Sequence, residues 1–344
     1  MLKRGESLLN LERFYKECNK FIEGSIEYCK SNYVKEYKES PIRIEFSIRD
    51  DMAIGGTSKY HNEEYSIEIN KGVFKKIYEI LNVLLYEAND VFYKQISLDL
   101  KGEYDYEKAN SYFDVLFELS VKNIIFHELG HIYNGHLRYI SNAKDKNELS
   151  INSEDDENNK LDSLLYKTLE MDADAFAATN VIGQITFQDN IDKINRDNKQ
   201  LIKGKEHAYF IYFIITVILF AMMGSGEKKY EYDDKNTKYL PLRTRLDCIL
   251  RCSLNAFYYF NREQEKNREW LNVELFRGYY GNIEEHVNLF YRDVEGIPEG
   301  IYSNSNNINE LSPEMLGLID KLNQFWNDEL RDNLKQYSYI NLAK

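Results

Sequence analysis

Residues Ser111 to Phe126 set Phe113, Leu116, Phe117, Val121, Ile124 and Ile125 at roughly the period of an α-helix, with no Pro or Gly between them. They run directly into His127-Glu128-Leu129-Gly130-His131. Ile124-Ile125-Phe126 ahead of this segment and Ile132 behind it call for a mostly buried helix. A buried His-Glu-His group is costly to desolvate unless something compensates it. Histidines at i and i+4 lie about 40° apart around a helix axis, so both imidazoles can close on one metal ion. A metal is the simplest compensation. Glu128, one residue on from the first histidine, reaches a metal-bound water rather than the metal, which suits a general base.

A short motif of this kind also arises by chance, so a second signal is needed. Leu169 to Ala178 reads as a helix with Glu170, Ala173, Asp174, Ala177 and Ala178 along one face. That face is two carboxylates among small side chains, which let the helix approach the first one closely. Glu170 then completes a His-His-Glu set with water in the fourth position, the pattern of a catalytic Zn²⁺ site. Asp174, one turn on, accepts a hydrogen bond from the second nitrogen of a ligating histidine and fixes its tautomer. Asp172 points about 160° away from Asp174 and is expected in solvent. Without the first motif the segment would read as an ordinary amphipathic helix with an acidic face.

The pair H-E-L-G-H-I-Y-N-G-H and E-M-D-A-D-A-F-A-A resembles the gluzincin metallopeptidases, over roughly residues 110 to 180. The resemblance implies His127, His131 and Glu170 as zinc ligands, Glu128 as base and Asp174 as the supporting carboxylate. A metzincin pattern fits less well, because Asn134 and Leu137 stand where it wants Gly and His. His136 is near the wanted place, but on a continued helix it would project about 140° from His131. Gly135 is expected to end that helix, which lets His136 swing and leaves it as the lesser alternative for a ligand. A further fragment, Tyr239-Leu240-Pro241-Leu242-Arg243-Thr244-Arg245, sits where HtpX-like gluzincins carry a His-Pro element followed by Arg. Tyr239 and Leu240 replace the His-Pro. Arg245 either orders the active-site region or belongs to a plain loop-to-helix start with Pro near the first turn. There is also a weaker similarity to Lit-type phage-exclusion peptidases.

The setting is that of a globular protein. The chain has 344 residues with 43% hydrophobic and 29% charged, and only four prolines, consistent with a mainly helical fold. A net charge of -13 without clustered Lys and Arg argues against nucleic acid as a partner. Cys18, Cys29, Cys248 and Cys252 form no C-x-x-C pair, so a disulfide framework is not expected. The N-terminus lacks the pattern of a signal peptide, and a cytoplasmic location is expected. Ala208 to Met223 is apolar apart from Thr216; at ~1.5 Å per residue it falls short of a ~30 Å bilayer core. It reads as a buried central helix, with a membrane span as the alternative.

Along the chain, residues 6 to 38 have amphipathic helical spacing. Ile42 to Ile48 and Tyr65 to Ile69 alternate as a pair of strands, and Val73 to Tyr86 is helical again. Asp90 to Glu107 reads as a polar connection, and Ser141 to Lys160 as a solvated loop. Leu250 to Phe260 and Leu316 to Leu334 are helical, with a linker holding Gly296, Pro298 and Gly300 before a polar stretch from Ser303 to Asn309. The expected fold is α+β, mainly α, with a zincin-like catalytic core, a small β-sheet and additional helices. Residues 1–246 would form that core and 247–344 a helical extension packed on it. The expected activity is zinc-dependent endopeptidase, acting on a protein or peptide substrate. The alternatives are a non-catalytic metal-binding scaffold and a membrane-embedded quality-control protease.

Overall fold

The computed structural model describes residues 11–32, 43–87, 91–144, 149–150, 163–197, 200–224, 240, 242–261 and 313–343. The fold is α+β and mainly α. Helix α1 (Leu11–Asn32) leads to a sheet of β1 (Ile44–Arg49), β2 (Gly56–His61), β3 (Glu64–Asn70) and the short β4 (Leu149–Ser150), in the order β1-β3-β2-β4. The two strands expected from alternation do pair, and they run parallel, with Ile44 opposite Tyr65 and Arg49 opposite Asn70. Between them in sequence lies β2, antiparallel to β3. The reversal from β2 to β3 uses Asn62 and Glu63, both at positive φ, the conformation that a two-residue hairpin with native twist demands. Tyr65, Ile67 and Ile69 turn one face of β3 into the core.

Helix α2 (Lys71–Asn82) follows β3 without a loop and continues into a π-helical turn at Val83–Glu87. The expected polar connection after residue 90 holds a short helix, α3 (Val91–Ile96), before Asp105 starts α4 (Tyr106–Tyr133). The Asp105 carboxylate accepts from the backbone N–H of Glu107 and Lys108, which satisfies two of the free donors at the helix start. The helix ends as expected: Asn134 caps it and Gly135, at φ 85°, turns the chain into α5 (His136–Lys144). Most of the expected loop 141–160 lies outside the described residues; Leu149 and Ser150 within it pair with Tyr60 and Lys59 of β2.

The remaining helices are α6 (Ser163–Thr186), α7 (Gln188–Asp197), α8 (Lys205–Gly224), α9 (Leu242–Phe260), α10 (Pro313–Phe325) and α11 (Arg331–Leu334), the last two joined by a π-helical turn at Trp326–Leu330. Every residue from His207 to Phe220 of α8 is buried, so α8 is apolar all round because protein surrounds it. Its neighbours include α2, α4, α6, α7 and α9. No helix among the described residues is long and apolar enough to cross a membrane. Helix α9 runs unbroken through Leu246 and Asp247 and packs along α6. The linker with Gly296, Pro298 and Gly300 lies outside the described residues.

Candidate metal centre

Helices α4 and α6 lie against each other along the segment that carries the polar groups. Gly130 makes this approach feasible: a Cβ there would sit 3.1 Å from Ala173 Cα and 3.2 Å from Phe176 Cβ. The small face of α6 thus meets a gap in α4, and Glu170 is brought to the two histidines. His127 Nε2 lies 3.2 Å from His131 Nε2. One Glu170 oxygen faces each ring, Oε2 at 3.4 Å from His127 Nε2 and Oε1 at 3.5 Å from His131 Nε2. His127, His131 and Glu170 form a group that could hold a metal ion, with one ligand atom from each all within 4.8 Å of one another.

The spacing suits a small tetrahedral cation. Zinc bonds of ~2.0–2.2 Å to nitrogen and oxygen, spread at tetrahedral angles, put neighbouring ligand atoms about 3.3–3.5 Å apart. Two orphaned atoms support the same reading. Glu170 Oε1 and Glu128 Oε2 are buried and have no hydrogen-bond partner, which is costly for carboxylate oxygens unless a cation or its water meets them. The site is not sealed: the His127 side chain keeps 13% of its surface exposed, whereas that of His131 has none. Access is from the His127 side.

Behind the ligand group, Asp174 Oδ1 accepts from His127 Nδ1 at 2.8 Å. Arg245, on α9, grips the same carboxylate through Nε and through Nη2 at 2.8 Å, and Nη2 also reaches Glu170 Oε2 at 3.3 Å. Its guanidinium lies over the Phe220 ring of α8. Arg245 thus orders this region through direct contact with both carboxylates. Leu240 is buried in a small apolar cluster with Leu318 and Leu322; Tyr239 and Pro241 lie outside the described residues.

The charges are arranged so that one proton stands in for a cation. Burial opposes charge on His127, but hydrogen bonds and attraction from Asp174 and Glu170 outweigh it and raise its pKa to about 10. His131 goes the other way, well below its ordinary value, through burial and then the neighbouring charges of His127 and Arg245. Burial also opposes ionisation of Asp174, yet Arg245 and His127 hold it down to about 2. His127 Nε2 and His131 Nε2 face each other across 3.2 Å. Burial pushes the Glu128 carboxyl up. Glu128 abuts the sheet, since a Cβ on Gly56 of β2 would stand 3.3 Å from its Oε1.

Asp172 departs from what the sequence leads one to expect. Asp172 is not in solvent: its Oδ2 accepts from His136 Nε2 at 2.9 Å and from Asn134 Nδ2. His136 is fully buried and is no member of the ligand group, but its Nδ1 lies 3.0 Å from His131 Nδ1. The turn at Gly135 swings it back beneath α4, which helical-wheel geometry alone does not show. The role of Gly56 was hidden because a glycine carries no chemical signal of its own.

Comparison of the chain with protein families, with curated proteins and with solved structures gives no match.

Proposed function

We propose that the protein is a zinc-dependent endopeptidase that hydrolyses a peptide bond of a protein or peptide substrate. The observation that carries this reading is the buried Glu128 carboxyl, with no hydrogen-bond partner at Oε2, beside the His127, His131 and Glu170 group. A purely structural metal site would close all four positions with protein ligands and would have no need of Glu128. The similarity of the two motifs to gluzincins supports it.

His127, His131 and Glu170 would hold the ion, which when bound supplies a Lewis acid that polarises a carbonyl and acidifies water. Asp174 fixes His127 with Nδ1–H toward the carboxylate, which leaves Nε2 to face the ion. Arg245 balances the negative charge of Glu170 and Asp174 and keeps both carboxylates in place. Glu128 takes a proton from the attacking water on Oε2 and returns it to the leaving amine; its raised pKa assists the uptake. His131, fully buried, lies on the side closed to bulk water, and substrate would enter from the side of the partly exposed His127. We place the enzyme in the cytoplasm.

Hydrolysis in H₂¹⁸O tests this reading. Zinc-loaded wild type incubated with a proteome-derived protein mixture is expected to create new C-termini carrying ¹⁸O. Glu128→Gln, which keeps the metal, is expected to lose on the order of 10²–10⁴ of that rate. New termini formed equally by both proteins, or by neither, would overturn the assignment.

A further inference from the structure

His131 has no carboxylate against its second ring nitrogen, unlike His127. It has another imidazole. The Asp172 carboxylate accepts, so His136 must donate from Nε2 across the 2.9 Å contact. With Nε2 donating to Asp172, His136 offers Nδ1 as the acceptor of the 3.0 Å contact, in which His131 donates from Nδ1. That leaves the lone pair of His131 on Nε2, the atom that faces His127 and Glu170. Each step follows from the one before, and no metal is needed to set the direction.

We propose that His136 and Asp172 are positioning residues that fix the tautomer and ring orientation of His131, so that its Nε2 is preset as a metal ligand; this rests on the metal-site reading given above. Helix α6 thereby steadies both imidazoles, His127 directly through Asp174 and His131 at one remove through Asp172 and His136. The relay is itself built to be rigid. Asn134 donates to Asp172, and His136 is completely buried. Gly135, between them, is locked by the C-terminal segment, where a Cβ would come within 2.6 Å of Ser338 N. Groups that orient ligating histidines in this way typically contribute 10–100-fold in metal affinity.

The test uses the full chain with ¹⁵N-labelled histidine. In metal-free wild type, two-bond ¹H–¹⁵N correlations are expected to show His131 with its proton on Nδ1. His136→Ala and Asp172→Ala are expected to mix the two tautomers and to weaken zinc, measured by chelator competition, about 10–100-fold. His136→Gln, which can accept and donate at its two ends, is expected to recover most of the affinity. Circular dichroism and the urea midpoint identify the folded variants, and Asp172→Asn, which keeps the shape of the side chain, is expected to give a smaller shift in the same direction and serves if the alanine variants do not fold. An unchanged His131 tautomer together with zinc affinity within about threefold of wild type in the folded variants would overturn the proposal. Wild type with the expected tautomer but no zinc binding would instead overturn the metal-site reading and leave the relay standing.

Discussion

Each imidazole of the centre has its outer nitrogen committed to a partner and its inner nitrogen aimed at the same small volume. This explains why Arg245 matters: it holds the two carboxylates that face these rings. Its cation lies against two nearly buried carboxylates, and removing one partner of such a cluster costs about 3–5 kcal/mol because the remaining charges lose compensation. Arg245→Met should therefore lower the stability of the metal-free protein by about that amount in urea denaturation. A loss below about 1 kcal/mol, the value of an exposed pair, would contradict the buried network. The pH dependence follows from the same groups. His127, raised to about 10, contributes stability that is complete below its ordinary 6.5 and is lost as pH rises through about 10. Asp174, held down to about 2, contributes stability that is complete above 3.8 and is lost as pH falls through about 2. The urea midpoint in chelator should thus be highest between pH 3.8 and 6.5 as far as these two groups set it, and should fall toward pH 10. At the proposed site zinc would replace the His127 proton, so adding it should raise the midpoint most at the alkaline end. A midpoint that is flat from pH 6.5 to 10 without metal would contradict the placing of His127 between two carboxylates.

The helices meet where side chains are smallest. A methyl group at Gly130 would press on Ala173 and Phe176 of α6, an overpacking that costs about 1–3 kcal/mol. Replacing a glycine in a helix interior returns ~0.5–1 kcal/mol. Gly130→Ala should therefore destabilise by on the order of 1 kcal/mol net and weaken zinc binding as Glu170 is pushed away. Equal stability and equal zinc affinity would mean that the close approach is not needed. The same contact shows what the sequence made legible. The i, i+4 histidines and the small face of α6 were readable because both follow the period of a single helix, and so were Gly135 as a helix end and α8 as a buried segment. The strand β2, Gly-Thr-Ser-Lys-Tyr-His, has no apolar alternation and shows itself only by pairing with β3. Asp172 was misread for a related reason. A helical wheel gives directions relative to one axis, whereas its contact with His136 depends on the turn between α4 and α5, a tertiary feature.

At the scale of the whole molecule, one helix organises the rest. Helix α6 packs on α4 and α9 and bears Glu170, Asp172 and Asp174, while α8, enclosed by protein, gives the pair a firm apolar backing. The C-terminal segment closes the far side. Tyr339 N donates to the Tyr133 carbonyl at 2.8 Å and the Tyr339 hydroxyl lies 3.0 Å from that of Tyr65 on β3. Residues from both ends of the chain thus brace the helix that carries His127 and His131, and a bound ion would join α4 to α6 at the centre of this frame. The measurement that tests the account most directly is the zinc content of the purified, reconstituted protein by elemental analysis, beside Glu170→Ala and Glu128→Gln. The account predicts about one equivalent per chain in wild type and in Glu128→Gln, with loss of zinc in Glu170→Ala. No zinc in wild type, or zinc retained in full by Glu170→Ala, would contradict it.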